Sequence, residues 1–214
     1  MRTRQFPYYF INLIRRIHMK KYLPHILIIS FVFIAIPITS ATGGSKTLRS
    51  HYKSLSASQV QSMPNVSIRK KTVLGFHGHS TINHDYNPKA IKGDKVVVDN
   101  ATGLMWHQSG ADNTMLWDAA KEWVEDLSSE EGYAGYHDWR LPTVDEAASL
   151  LESSKKNGDL YIDPVFSKKQ WNIHTGDQFL SKAGWLVFFD FGHVSGDNCY
   201  IGCYHYVRPV RSMK

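Results

Sequence analysis

The stretch YHDWRLPTVDEAASLLE, residues 136–152, restricts the possible folds more than any other part of the sequence. Successive side chains of a strand point to opposite faces, so Trp139 and Leu141 would face a core while Arg140 faces away from it. Pro142 has no N–H to donate to a strand ladder and ends the strand. The sequence therefore predicts a corner at which a short strand turns directly into a helix.

The helix after this corner carries its own start signal. Thr143 and Glu146 have the spacing of a capping box, in which each side chain bonds the backbone N–H of the other residue. The apolar positions that follow have helical spacing and predict a buried stripe, formed by Val144, Ala147, Ala148 and Leu151. Arg140 could bind an anion or could be a structural guanidinium paired with an acid. We predict the structural role, with Glu146 or Asp163 as the partner.

Four further segments predict a mixture of strands and helices. Residues 95–108, KVVVDNATGLMWHQ, are typical of a β-hairpin, with Trp106 as a structural residue of its second strand. Residues 116–127 have apolar side chains at helical spacing and predict an amphipathic helix. Residues 184–196 and 204–211 predict short strands. Two main helices among many short strands and long loops indicate an α+β domain.

The segment before the hairpin is less regular. Ser56 and Gln59 form another potential capping box, which predicts a short helix over residues 57–63. Residues 65–94 show little periodicity and predict a long irregular loop. No cysteine or second cluster of ligands supports a metal site here, so we predict no metal and no cofactor for its three histidines, His77, His79 and His84.

The N-terminal region, residues 1–41, is predicted to be a leader. Residues 23–38, LPHILIISFVFIAIPI, form an apolar run preceded by basic residues and followed by small ones, as in a signal peptide cleaved after Ala41. Met19 is the better start codon. The run is short for a membrane span of about 20 apolar residues, and a retained membrane anchor is the alternative. Export would place the protein in the periplasm or outside the cell.

The remaining chain divides into a flexible linker, residues 42–54, and a single domain, residues 55–214. The leader holds six Lys/Arg and no acid, which leaves 25 − 6 = 19 basic against 19 acidic residues after it. A nucleic-acid-binding face usually shows as a basic excess. The balanced charge therefore predicts no nucleic-acid partner and contact with a membrane only through an uncleaved leader.

Several segments resemble the Lcl C-terminal domain family, named from a bacterial collagen-like adhesin. They are GDKVVVDNATGLMWHQSG, GYHDWRLPTVDEAASLLE, LYIDPVF, GWLVFFDFG and YVRPVR, and the resemblance spans about Leu55 to Arg211. It implies a C-type-lectin-like fold, with two main helices packed on twisted, mostly antiparallel short strands and long loops. In the adhesin the domain is linked to binding sulfated glycans and host surfaces. The resemblance therefore implies an exported binding module, not an enzyme, whose partner is a glycan or another envelope or host surface component.

Two alternatives to a binding module remain open. No catalytic triad, Walker loop, zincin motif or dinucleotide fingerprint is present. Cys199 and Cys203 resemble in outline the cysteine pair of formylglycine-generating enzymes, which would bind copper(I) through thiolates. Their spacing differs from that of the enzyme family, and a loop disulfide that turns at Gly202 is the preferred interpretation. The second alternative is a structural envelope domain without a small ligand.

The binding face is predicted on two long loops, residues 159–183 and 192–204. Flat aromatic rings beside amides and carboxylates suit a sugar, and these loops supply Trp171, Asn172, His174, Asp177, Gln178, His193, Asp197, Asn198 and Tyr200. The histidines predict tighter binding of an anionic glycan as pH falls through about 6.5, the ordinary histidine pKa. The alternative is that Trp171 belongs to the core and that the polar residues only solvate loops.

Overall fold

A computed structural model of the chain describes residues 46–129, 131–181, 183–196 and 203–213. Residues 42–214 form one compact unit. The predicted leader, with Met19 and Ala41, lies outside the described residues. Within the described part, no helix combines the length and hydrophobicity needed to cross a membrane.

The domain consists of short helices and two antiparallel sheets. In chain order, the elements are α1 (Ala57–Val60), β1 (Val66–Thr72), β2 (Gly75–Ser80), β3 (Tyr86–Ile91), β4 (Asp94–Asp99), β5 (Leu104–His107), α2 (Trp117–Leu127), α3 (Val144–Ser149), β6 (Asn172–Leu180), β7 (Ala183–Phe188), β8 (His193–Gly196) and β9 (Val210–Ser212). One sheet has the strand order β1-β2-β8-β7-β6 and the other β3-β4-β5-β9. The predicted α+β class with mostly antiparallel strands is confirmed.

The main core lies on one face of the five-stranded sheet. Adjacent strands align four fully buried apolar side chains in one row, Phe76, Val194, Val187 and Ile173. The apolar stripe of α3 and Trp106 of β5 belong to the same cluster. Burying a continuous apolar row of this kind stabilises the fold by roughly 25 cal/mol for each Å² of apolar surface removed from water. It therefore fixes the register of the strands, because a slip of one residue would turn every one of these side chains outward.

A second apolar cluster packs α2 against the four-stranded sheet. It contains Val96 and Val98 of β4, Ala120 and Val124 of α2, and Trp139 from the corner segment. Leu141 is also buried here, as the alternation in the sequence predicted. The corner thus connects the two clusters, since the helix that follows it packs in the main core.

The corner itself forms as a single bridge and not as the regular strand predicted from the sequence. Arg140 pairs with Val210 through two backbone hydrogen bonds of 3.0 and 2.9 Å. Pro142 then leads to α3, whose capping box between Thr143 and Glu146 is formed as predicted. Of the two acids suggested as partners, the Arg140 guanidinium contacts Glu146, at 2.6 and 2.7 Å.

Two predicted irregular segments are ordered in the structure. Residues 65–94 form β1, β2 and β3, so the long-loop prediction is wrong. Lysines and glycines hid the strand pattern: β1 is an edge strand with exposed basic residues, and the backbone of β2 lies so close to β8 that a Cβ at Gly75 would sit 1.9 Å from the Val194 carbonyl oxygen. An edge strand needs no apolar alternation on its solvent side.

The predicted flexible linker also differs from the structure. Residues 46–54, which we call the N-terminal strap, lie against the domain. Arg49 pairs with Asp145 and Asp177, and Ser54 bridges β6 in parallel at Gln178. The ring of Tyr52 packs on Gly176, where a Cβ would come within 2.1 Å of the ring. The polar composition of the strap reflects contacts with a buried carboxylate and not a lack of structure.

Candidate functional site

Three of the predicted binding residues are buried in β6 instead of lying on a loop. Asn172 is fully buried and its amide contacts the His205 ring at 2.6 Å. His174 is 1% exposed and its Nε2 contacts the Met115 carbonyl oxygen at 2.8 Å. Asp177 is fully buried and accepts hydrogen bonds from Arg49 and from two backbone N–H groups. The loop prediction for residues 159–183 is therefore wrong over β6, and these three side chains are bound by the protein itself.

The other predicted residues are separated from one another. Trp171 is 40% exposed, beside Phe188 of β7. His193 lies on β8 and stacks on His77 at 4.4 Å. Gln178 is half-buried at the far end of β6, where its backbone pairs with the strap. The remaining three, Asp197, Asn198 and Tyr200, lie outside the described residues.

His193, one of the two histidines on which the predicted pH dependence rests, does not support it. Burial, with a smaller contribution from His77, lowers the pKa of His193 to about 4. Its ring is therefore neutral at pH 6.5, where a change in charge was expected. Both ring nitrogens of His84 are occupied, by Asp99 and by the Ser149 carbonyl oxygen. Among the described residues, no cluster of three or more His, Cys, Asp or Glu is arranged to hold a metal ion.

Cys203 is disulfide-bonded in the structure. The only other cysteine of the sequence, Cys199, lies outside the described residues. A sulfur in a disulfide has no thiolate to offer, and thiolate is the form that binds copper(I).

A concave site that the sequence did not indicate lies beside β5. The loop after β5 and Trp123 of α2 line a half-open pocket of about 490 Å³, which we call the loop pocket. It is lined by His107, Ser109, Gly110, Ala111, Asp112, Asn113, Met115 and Trp123. The lining combines an indole ring with carboxylate, amide and hydroxyl groups. Its volume lies within the roughly 300–1,000 Å³ of small-molecule pockets, and its lining is more polar than is usual for them.

One wall of the loop pocket is a fixed imidazole. The Gly110 N–H donates to His107 Nδ1 at 2.9 Å, so the hydrogen of the neutral ring resides on Nε2. Tyr133 stacks on the ring at 4.1 Å, and Trp123 lies tilted beside it at 6.5 Å. Burial, together with the charge of Arg208, lowers the pKa of His107 to about 4. His107 is therefore a neutral group that is fixed in one tautomer at physiological pH.

The pocket loop is held from behind by two buried side chains. Arg208 is fully buried and donates to the carbonyl oxygens of His107 and Gln108. Gln170, also fully buried, donates to the carbonyls of Ala111 and Val207 at 3.0 and 2.9 Å. These bonds fix the loop before any ligand arrives, which lowers the conformational entropy cost of binding.

Gly110 is required by the same arrangement. Its φ of 67° lies in the left-handed region of backbone conformation, which residues other than glycine rarely adopt. A Cβ there would lie 2.1 Å from Gln170 Nε2 and 2.4 Å from the Val207 carbonyl oxygen. The glycine therefore lets the loop turn tightly against the two residues that hold it. Its place in the segment QSGADN was the only sign of this turn in the sequence.

Comparison with known proteins adds one finding. A family model described as the Lcl C-terminal domain matches residues 95–211, which is more than half of the 214-residue chain. The match contains the whole lining of the loop pocket and the two side chains that hold it. It begins later than the expected residue 55, although β1 to β3 pack into the same unit. No curated protein and no solved structure matches the chain, so the C-type-lectin-like arrangement stays a prediction.

Proposed function

The chain belongs to the Lcl C-terminal domain family, and on that premise we propose that it is an exported, non-enzymatic module that binds a glycan in the loop pocket. The observation that carries the proposal is the pocket itself, in which Trp123 lies beside Asp112 and Asn113 on a loop held by buried residues. A sugar ring has apolar C–H faces, which pack on an indole, and hydroxyl groups, which bond to planar amides and carboxylates. The family resemblance supports the same class of ligand.

Binding is favoured over catalysis by the state of the buried ionisable groups. Glu146 and Asp177 are fully buried, and each is saturated by hydrogen bonds within the protein. His107 has its pKa lowered to about 4 by burial and by Arg208, well below the range in which a general base works best at neutral pH. These groups stabilise the fold and the pocket loop, which is what a rigid binding module needs.

A tryptophan substitution tests the glycan site. Trp123→Ala is expected to weaken glycan binding about 5- to 150-fold, because aromatic platforms contribute roughly 1–3 kcal/mol in comparable stacking contacts. The measurement is a glycan array followed by isothermal titration of the strongest neutral or charged hit. Trp171→Ala is the matched control, since Trp171 is an exposed tryptophan outside the pocket. Loss of binding in Trp171→Ala with full binding in Trp123→Ala would instead place the site beside Trp171 and Phe188.

Export is the second part of the proposal, and it rests on the apolar run at residues 23–38 and the small residues that follow it. We expect the mature chain to begin at or near Thr42, in the periplasm or outside the cell. Mass spectrometry of the envelope and secreted fractions measures the N-terminus directly. Recovery of the intact chain from Met1 in the cytosol would contradict export.

A further inference from the structure

We infer that the loop pocket selects sugars that carry no charge and discriminates against sulfated and uronic-acid sugars. The inference rests on the proposed glycan-binding function and specifies its ligand. It differs from what the family resemblance implies, because that resemblance points to sulfated glycans. The reasons are that the lining contains one carboxylate and no lysine or arginine, and that the His107 imidazole is held as a neutral hydrogen-bond donor.

The lining offers no lysine or arginine side chain that would pair with an anion. Its eight residues, all within the described part of the chain, include one carboxylate, Asp112, and no lysine or arginine. Sites for sulfate or carboxylate groups normally present arginine or lysine, whose charged hydrogen bonds are stronger than neutral ones. Lys169 lies outside the lining and is paired with Asp112 at 3.1 Å.

The charges behind the pocket do not change this conclusion. Arg208 is fully buried under the loop, and its Nη atoms point at backbone carbonyl oxygens and not at the cavity. Two carboxylates, Asp94 and Asp112, act on His107 with the opposite sign to Arg208. Around His107 these two carboxylates outnumber the one arginine, so no excess of positive charge draws an anion to the pocket.

His107 supplies a directional hydrogen bond without a charge. Its Nδ1 accepts from Gly110, so Nε2 carries the ring hydrogen and can donate to a hydroxyl oxygen. Asp112 can accept from a hydroxyl, and the Asn113 amide can do both. A hydroxyl group both donates and accepts, so this set of groups matches adjacent hydroxyls on one sugar ring. A cavity of about 490 Å³ has room for such a ring.

The test uses the purified mature domain and pairs of glycans that share one backbone. One member of each pair is neutral, and the other carries a sulfate or a uronic acid. We expect the neutral member to bind about fivefold more tightly, which corresponds to the roughly 1 kcal/mol that an anion beside an exposed carboxylate costs. Binding of the neutral member should change little from low to high salt, and little between pH 5 and pH 8 because His107 stays neutral there.

Two rim variants make the test specific to the pocket. Asp112→Asn removes the carboxylate and should reduce the discrimination against the charged member several-fold. Asp112 is 90% exposed, so the substitution should not unfold the domain. Lys169→Gln removes the cation that pairs with Asp112 and should increase the discrimination against the charged member. Lys168→Gln changes a neighbouring exposed lysine and should leave it unchanged.

The outcomes separate the two proposals. If the neutral member binds more tightly and Asp112→Asn reduces that preference, the result supports both the glycan-binding function and the selectivity. Tighter binding of the sulfated member, or binding that high salt abolishes, overturns the selectivity and leaves the glycan-binding proposal standing. No binding of any glycan on the array overturns the proposed function and the selectivity with it.

Discussion

Arg140→Ala should lower the free energy of unfolding by about 3–5 kcal/mol, the cost of stranding a buried charge. Glu146 is fully buried, and Arg140 contacts both of its carboxylate oxygens. Although burial opposes it, the hydrogen bond with Glu146 raises the pKa of Arg140, as expected for a charged pair. Without the guanidinium, the carboxylate keeps only its bonds to Thr143, at 2.8 and 3.2 Å.

Thermal and urea unfolding of the purified domain measure this effect. A loss of about 3–5 kcal/mol corresponds to a decrease in Tm of roughly 6–20 °C for a domain of this size. Lys121→Ala is the matched control, because Lys121 pairs with Asp118 in solvent, and exposed pairs contribute only about 0–1 kcal/mol. A variant Arg140→Ala that unfolds like the wild type but loses its ligand would show that Arg140 binds the ligand.

The double variant Arg140→Ala/Glu146→Ala tests the cause of the loss. If the loss comes from a stranded carboxylate, removing the carboxylate as well should restore part of the stability, since a buried unpaired charge is the costliest state. The double variant also loses the capping box with Thr143, so recovery will be incomplete by about 1 kcal/mol. If the double variant loses more free energy of unfolding than the two single variants lose together, the explanation is wrong.

The corner could be read from the sequence because its chemistry is local. The alternation that buries Trp139 and Leu141, and the capping box of Thr143 and Glu146, involve residues within a few positions of each other. Such signals do not depend on the rest of the fold. The short strand predicted for residues 136–142 was wrong in extent because Val210, the partner of Arg140, is distant in sequence and contributes only one bridge.

The β6 segment shows why polar residues misled the sequence reading. NIHTGDQ has the composition of a loop, yet six consecutive residues from Asn172 to Asp177 are buried. Their polar groups are satisfied from distant parts of the chain, with His205 bonding Asn172 and the strap bonding Asp177. Buried polar groups need such partners, and a sequence read alone does not show where the partners are.

The loop pocket was equally hidden from the sequence. Its ring of His107 packs against Tyr133, and its loop is held by Gln170 and Arg208, so four separate segments must meet to form it. Each of these residues has an ordinary local environment in the sequence. Trp171, the aromatic residue predicted to bind a sugar, is exposed but lies outside the pocket lining.

Asp177→Ala is the second substitution for which we expect a large effect, a loss of about 3–5 kcal/mol in the free energy of unfolding. The carboxylate of Asp177 accepts two hydrogen bonds from Arg49, at 2.8 and 2.7 Å. It also accepts the backbone N–H groups of Lys53 and Val144, both at 2.7 Å. One buried acid thus holds the strap and satisfies the first turn of α3, and its removal leaves Arg49 with Asp145 as its acidic partner and leaves the Lys53 and Val144 N–H groups without their acceptor.

Two measurements separate this role from the ligand contact predicted from the sequence. Urea unfolding gives the loss of stability, and limited proteolysis should show faster cleavage within the strap, residues 46–54. Asp145→Ala is the matched control: Asp145 pairs with Arg49 from the other side, and its side chain is 12% exposed, so its removal leaves the Asp177 bonds in place and should cost less. If Asp177→Ala kept its stability and its strap but lost glycan binding, Asp177 would be a ligand residue. We expect the reverse, because every bond that Asp177 makes in the structure joins two parts of the same domain.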